Sequence, residues 1–213
     1  MAMDIVNPAI AKYLDDLLPA REPWFLEMEK MAEKNNFPAV GPQVGMLLEI
    51  LARAIAARRI MELGSGFGYS GLWFARALPE DGFLLLSDFA EENRRRAEEN
   101  FKKAGKSGIM EFRVGDALEL LKQEKGPYDL IFNDIEKEFY PQVIDPAYRL
   151  LRKGGLFITD NTLWYGRVTA GQATLDKNAA FIREFNTRLM AHKGFLTVII
   201  PLRDGVSVSI KYQ

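Results

Sequence analysis

Between Arg58 and Ser70 the chain reads R-R-I-M-E-L-G-S-G-F-G-Y-S, and this stretch limits the open folds more than any other. Ile60, Met61 and Leu63 are spaced as a short buried strand. Gly64, Gly66 and Gly68 follow at alternate positions, and Tyr69-Ser70 opens an apolar helical run to Leu78. Strand, glycine turn and helix start together form a cradle for a nucleotide-like ligand. Glycine permits positive φ and lets a ligand approach where a Cβ would block it. The first turn of a helix offers free N–H groups to an anion. Gly66, Gly68 and Gly71 also fit the dinucleotide spacing, but in that motif the first glycine directly follows the strand. Here Gly64 does, and Tyr69 stands where that spacing would place the last glycine. An acid before the glycines, Glu62, suits S-adenosylmethionine better than NAD. A tight βα turn without a ligand is the alternative.

Downstream, strands and helices alternate with short connections. Strands are expected at 83–86, 109–114, 128–132, 156–159, 195–200 and 206–210. Helices are expected at 91–104, 117–122, 140–151 and 177–191, with Gly154-Gly155 stopping the third. Near-continuous apolar strands separated by helices imply a mostly parallel sheet covered on both faces. Three helices precede the glycine strand, at 8–18, 22–34 and 43–57; they serve as a lid, a dimerisation element or core cover. At 213 residues this makes a single α/β domain, residues 1–213, with residues 1–42 as an N-terminal helical extension.

The ends of these strands carry the polar residues. In an open parallel sheet, ligands bind beyond the carboxyl ends of the strands. Acids stand there at four places: Asp88, Asp116, Asp134 and Asp160. Asp88, about twenty residues beyond the glycines, is placed for ribose hydroxyls; a helix cap is its other reading. Asp116 is a candidate for the adenine amine or, equally, a cap. Asp134, Asp160 and Asn161 form a sharper set, because neighbouring strand ends would gather two carboxylates and an amide oxygen. With no cysteine and one histidine in the chain, such a set suits Mg²⁺, Mn²⁺ or Ca²⁺ rather than zinc. Read locally, Asp160-Asn161 is a turn dipeptide, and Asp134 with Lys137 a surface pair.

With these residues in view, the chain resembles the cation-dependent O-methyltransferases, the group of catechol and caffeoyl-CoA O-methyltransferases. The resemblance runs from about Gln43 to the C-terminus. It rests on M-E-L-G-S-G-F-G-Y-S, A-R-A-L-P-E-D-G, V-G-D-A-L-E-L-L, D-L-I-F-N-D-I-E-K-E-F-Y, D-N-T-L-W-Y-G-R-V, E-F-N and the closing P-L-R-D-G. It implies a Rossmann-like class I methyltransferase fold: a seven-stranded mostly parallel sheet with one antiparallel strand, helices on both faces, and N-terminal helices. It also implies that Gly64, Gly66, Gly68 and Ser70 hold the amino-acid end of S-adenosylmethionine, Asp88 the ribose, and Asp116-Ala117 the adenine. Asp134, Asp160 and Asn161 would bind the metal, with Asp134 beside the cofactor, and Lys137 would be the general base. The family often has an aliphatic residue where this chain has Asn133.

The expected reaction is an in-line transfer of a sulfonium methyl to a hydroxyl, for which alignment contributes on the order of 7–11 kcal/mol. Mg²⁺ is the first choice of cation. The expected acceptor is a catechol-like or hydroxylated aromatic small molecule, walled by Trp164 and Tyr165. The chain is also similar to bacterial enzymes that methylate 5-hydroxyuridine at the tRNA wobble position. Arg53, Arg58, Arg59 and Arg167 are the candidates for a phosphate-holding surface in that case. A non-catalytic cofactor-binding module is a third reading, and the complete set Asp134, Lys137, Asp160 and Asn161 speaks against it. The family resemblance implies a homodimer. No secretory signal or membrane-length apolar run is legible, so a cytoplasmic location away from the membrane is expected. His192 reads as a helix-end residue, and Phe139-Tyr140 as the core at a helix start.

Overall fold

The computed structural model describes residues 4–171 and 174–213. Seven strands form one sheet in the order β3-β2-β1-β4-β5-β7-β6. They are β1 (Arg59–Leu63), β2 (Phe83–Asp88), β3 (Met110–Val114), β4 (Tyr128–Asn133), β5 (Leu151–Thr159), β6 (Phe195–Ile200) and β7 (Val206–Lys211). The pairs β1–β2, β2–β3, β1–β4 and β4–β5 are parallel. β7 runs antiparallel to both β5 and β6. The order reverses between β1 and β4, which places a crevice at their carboxyl ends.

Eight α-helices flank the sheet among the described residues: α1 (Pro8–Asp16), α2 (Pro23–Lys34), α3 (Gly41–Ala54), α4 (Tyr69–Ala77), α5 (Glu91–Lys103), α6 (Ala117–Gln123), α7 (Tyr140–Leu150) and α8 (Lys177–Ala191). Strand alternation divides the core. Ile60, Leu84, Leu86, Leu130 and Phe132 face Phe25, Val44, Leu48 and Trp73 of α2, α3 and α4. Met61, Leu63, Leu85, Ile131 and Phe157 face Leu120, Tyr140, Ile144 and Phe185 of α6, α7 and α8. α2 and α3 are therefore core cover. α1 buries none of its side chains; Ile10, Tyr13 and Leu14 are exposed on it. Among the described residues, no helix is long and apolar enough to cross a membrane.

The largest boundary differences from the sequence reading are in β5 and α3. β5 begins at Leu151 rather than Leu156, because Leu151 already pairs with Tyr128. The strand thus runs through Gly154-Gly155, where its pairing with β4 shifts register between Tyr128 and Leu130. α3 begins at Gly41, where Pro42 sits in the first turn, and ends at Ala54. A proline there loses no helical hydrogen bond, so the helix starts earlier than its apolar periodicity suggests.

Candidate active site

β1 delivers the chain to a turn in which Gly64, Gly66 and Gly68 have φ of 79°, 51° and 86°. The backbone N–H groups of Gly64 and Ser65 donate to the Ser87 carbonyl of β2 at 3.0 and 2.8 Å. A Cβ on Gly64 would stand 2.4 Å from the Asp134 carbonyl oxygen, so this glycine is required by the close approach of the β4 end. The turn opens on a cavity of about 1090 Å³, room for a nucleoside-sized cofactor and a small acceptor together.

Of the nine residues expected around the cofactor, six line this cavity: Gly64, Gly66, Ser70, Asp88, Ala117 and Asp134. Asp88 accepts from Gly66 N at 3.0 Å with Oδ2, and from Ala90 N and Asn93 Nδ2, each at 2.9 Å, with Oδ1. It therefore ties the glycine turn to the chain entering α5 and to the Asn93 side chain on that helix. The remaining three lie off the cavity wall. Gly68 turns toward α5, where a Cβ would meet Ala97 and Phe101 at 3.1 Å. Asp116 caps α6 by accepting from Leu118 N and Glu119 N at 2.7 and 3.0 Å, and is exposed. Glu62 is fully buried beneath the turn, where its Oε1 accepts from Ser70 Oγ and its Oε2 has no partner among the described residues. Burial pushes its carboxyl up to about 8, against the Ser70 hydrogen bond and with help from the charges of Asp134 and Asp88. Because Ser70 lines the cavity, Glu62 reaches the cofactor region through it.

Asp134 and Asp160 follow β4 and β5, which are in register at Asn133 and Thr159. Asp134 N donates to Leu63 O at 2.9 Å and Asp160 N to Asn133 O at 3.2 Å, so the three strand ends are tied in sequence. Burial, then the charge of Asp134, pushes the Asp160 carboxyl up to about 7. Burial also raises Asp134, outweighing the favourable charge of Lys137. Two buried carboxylates, the charge of one raising the other, with Asn161 on the same wall, form an all-oxygen set that favours a positive charge between them. These residues fit a hard divalent cation. Among the described residues, no group of three or more His, Cys, Asp or Glu has metal-holding geometry, so a cation held here would need the amide oxygen of Asn161 as its third protein donor. Asn161 has φ of 56°, a conformation asparagine tolerates better than most residues.

Lys137 stands beside this pair. Its Nζ donates to Asp134 Oδ1 at 3.0 Å, Ile135 O at 3.2 Å and Tyr140 Oη at 2.8 Å. Tyr140 Oη donates in turn to the Asp160 carbonyl at 3.1 Å. Tyr140 is indeed buried core at a helix start, yet its hydroxyl also links the lysine to the β5 end, which apolar periodicity gave no sign of. Trp164 and Tyr165 line the cavity, with the Trp164 ring 5.9 Å from Lys137 Nζ. Both have positive φ, 45° and 50°. Asp204 holds them there: its Oδ1 accepts from Tyr165 N and its carbonyl from Leu163 N. Sequence reading gave Asp204 no role, although it sits in the closing P-L-R-D-G block. Phe37 was also missed; it covers the glycine turn, its ring 4.9 Å from that of Phe67.

Three arginines expected to serve a phosphate-holding surface at the site lie elsewhere. Arg58 pairs with Asp81, and the Arg59 guanidinium lies 4.7 and 5.1 Å from the Phe83 and Tyr128 rings. Both stand at the amino end of β1, opposite the cavity. Arg53 near the end of α3 binds Glu49 and the Arg76 carbonyl. Arg167 stands 3.7 Å from Asp176. His192 ends α8, accepts from Gly194 N at 3.1 Å, and packs between Tyr148 and Phe195.

A family model described as O-methyltransferase matches residues 21–212. The catechol O-methyltransferase of Niastella koreensis is 31% identical over 213 residues, spanning 95% of this chain and 96% of that protein. The caffeoyl-CoA O-methyltransferase 2 of Zea mays is 34% identical over 209 residues, spanning 92% of this chain and 79% of that protein. Among solved structures, the O-methyltransferase TomG from Streptomyces achromogenes, crystallised with S-adenosylmethionine, superposes with a TM-score of 0.86 at 28% identity, covering 96% of each chain.

Proposed function

From the premise that the chain belongs to the O-methyltransferase family, and is an S-adenosylmethionine-dependent enzyme of the catechol and caffeoyl-CoA type, we propose that it methylates a hydroxylated aromatic small molecule with the help of a divalent cation. One observation carries this reading: Asp134, Asp160, Asn161 and Lys137 share the wall of a single cavity with the glycine turn. Gly64, Gly66 and Ser70 receive the amino-acid end of the cofactor, and Asp88 the ribose. Asp134, Asp160 and Asn161 are the residues that would hold the cation. A cation there supplies positive charge that lowers the pKa of the acceptor hydroxyl.

A phenol has a pKa near 10 and is mostly protonated at neutral pH. Lys137, once its ammonium has given up a proton to solvent, takes the phenol's proton as general base, with Tyr140 fixing the position of Nζ. The phenolic oxygen attacks the methyl carbon while the carbon–sulfur bond breaks, so the sulfonium leaves as a neutral thioether. Trp164 and Tyr165 wall the ring and orient the oxygen for in-line attack, and Asp204 holds both in place. Phe37 excludes water from above the glycine turn.

The test is methyl transfer from labelled S-adenosylmethionine to a catechol acid, with Mg²⁺ or with EDTA, for the parent chain and Asp160→Ala. Labelling that needs the cation and is lost in the variant, while S-adenosylmethionine still binds, is the expected result. Cation-independent labelling, or full turnover by the variant, would refute the metal reading.

A further inference from the structure

The cavity wall is rich in acids, and among the described residues only three cations stand on it: Lys137, Lys177 and Arg203. Two of them are engaged, Lys137 with Asp134 at 3.0 Å and Lys177 with Glu138 at 3.4 Å. Arg203 differs. Among the described residues no carboxylate pairs with its guanidinium, and its hydrogen bond is from Nη1 to the Ala39 carbonyl at 2.8 Å. The remaining guanidinium N–H groups form a planar fork suited to a carboxylate.

Its placement is built from both sides of the cavity mouth. Arg203 lies in the turn between β6 and β7, and that turn is docked on the loop carrying Trp164 and Tyr165. Thr162 N donates to Gly205 O and Leu163 N to Asp204 O, both at 2.9 Å. Across the mouth, a Cβ on Gly41 would stand 2.6 Å from Arg203 Nη1, so a glycine at 41 makes room for the guanidinium. Arg203 itself has φ of 47°, a conformation unfavourable for a long side chain and tolerated where the surroundings impose it. Arg203 lines the same cavity as Asp134, Asp160 and Asp204.

We propose that Arg203 is a specificity residue that binds a carboxylate borne by the acceptor, so that the preferred substrate is an anionic hydroxylated aromatic acid rather than a neutral one. This rests on the acceptor class given above. In a cavity whose other cations are already paired with acids, an anion is met by the free guanidinium, and the hydroxyl end is then left at Asp134, Asp160 and Lys137.

The experiment compares 3,4-dihydroxybenzoate and 3,4-dihydroxycinnamate with their neutral primary amides. Binding to the full chain is measured by titration calorimetry with S-adenosylhomocysteine and Mg²⁺ present, and kcat/KM is measured with S-adenosylmethionine. The variants are Arg203→Gly, which accepts the left-handed backbone without strain, and Arg203→Lys. For the parent chain, at least one acid is expected to bind about tenfold more tightly than its amide, the size of one charge-assisted hydrogen-bonded contact. Arg203→Gly should bring that ratio to about one through KM and Kd, and Arg203→Lys should keep part of it. Equal binding of acid and amide by the parent chain overturns the proposal. So does an equal weakening of both by Arg203→Gly, which would make the arginine a counter-charge for the carboxylates. Absence of binding by all four compounds overturns both the subsite and the acceptor class. Preferential binding of the acid without methyl transfer supports the subsite and refutes the reaction proposed above.

Discussion

Replacing Asp160 by Asn should make the cation-free protein more stable at pH 8, although it removes a residue of the site. Asp160 is 4% exposed, and its carboxyl is pushed from the ordinary 3.8 up to about 7. A folded-state value above the unfolded one means that the folded chain binds this proton more tightly. The contribution to stability is therefore complete below the ordinary carboxylate value, declines as pH rises toward about 7, and is gone above it. The gap of about 3 pH units (about 7 less 3.8) corresponds to about 4 kcal/mol at 1.36 kcal/mol per unit. Asparagine keeps the shape and lacks the charge, but it weakens the hydrogen bond that the carboxylate accepts from the Asn161 backbone. A net gain of about 2 kcal/mol is expected, or roughly 4–8 °C in Tm for a chain of this length. Thermal unfolding followed by circular dichroism in EDTA reads the difference directly. At pH 5 the gain should largely vanish, because Asp160 is then protonated in the folded parent chain. Excess Mg²⁺ should raise the parent Tm and leave the variant nearly unmoved. A variant less stable than the parent at pH 8 in EDTA, or a difference equal at both pH values, would refute the reasoning.

Three further outcomes follow from the geometry. Lys137→Ala should lower kcat by about 10²–10⁴, the usual range for a general base, and Tyr140→Phe by less, since it frees Nζ from Tyr140 Oη without removing it; a stopped assay at saturating acceptor measures both. Gly64→Ala combines φ of 79° with a Cβ 2.4 Å from the Asp134 carbonyl. It should cost about 2–4 kcal/mol in urea unfolding and weaken S-adenosylmethionine binding; a stable variant that binds normally would contradict the assigned close approach. Asp204→Ala releases Tyr165 N, so the KM for the acceptor should rise about tenfold while the Kd for S-adenosylhomocysteine stays within about twofold, a contrast that calorimetry and steady-state kinetics resolve.

The sequence by itself determined the sheet and the ends of its strands. Apolar runs such as Leu84–Leu86 and Leu130–Phe132 are buried on both faces, and the polar residue that ends each run falls at the crevice. Local order was therefore enough to locate Asp88, Asp134 and Asp160. Glycine spacing marked the turn for the same reason, since positive φ is a property of single residues. Side-chain direction was not legible in this way. Glu62, Gly68 and Asp116 belong to the same motifs as the cavity residues, but they point beneath the turn, toward α5 and into the α6 cap, and only packed neighbours fix those directions. The boundary of β5 was likewise decided by its partner strand, since Leu151 pairs with Tyr128 ahead of a register shift at Gly154-Gly155. The tertiary structure alone brought Arg203 and Asp204 to the acceptor loop and Ala39, about forty residues away on one side and over 160 on the other. Contacts at such separations depend on how β7 returns beside β5 and how α3 packs on α4, and a linear pattern carries no record of either.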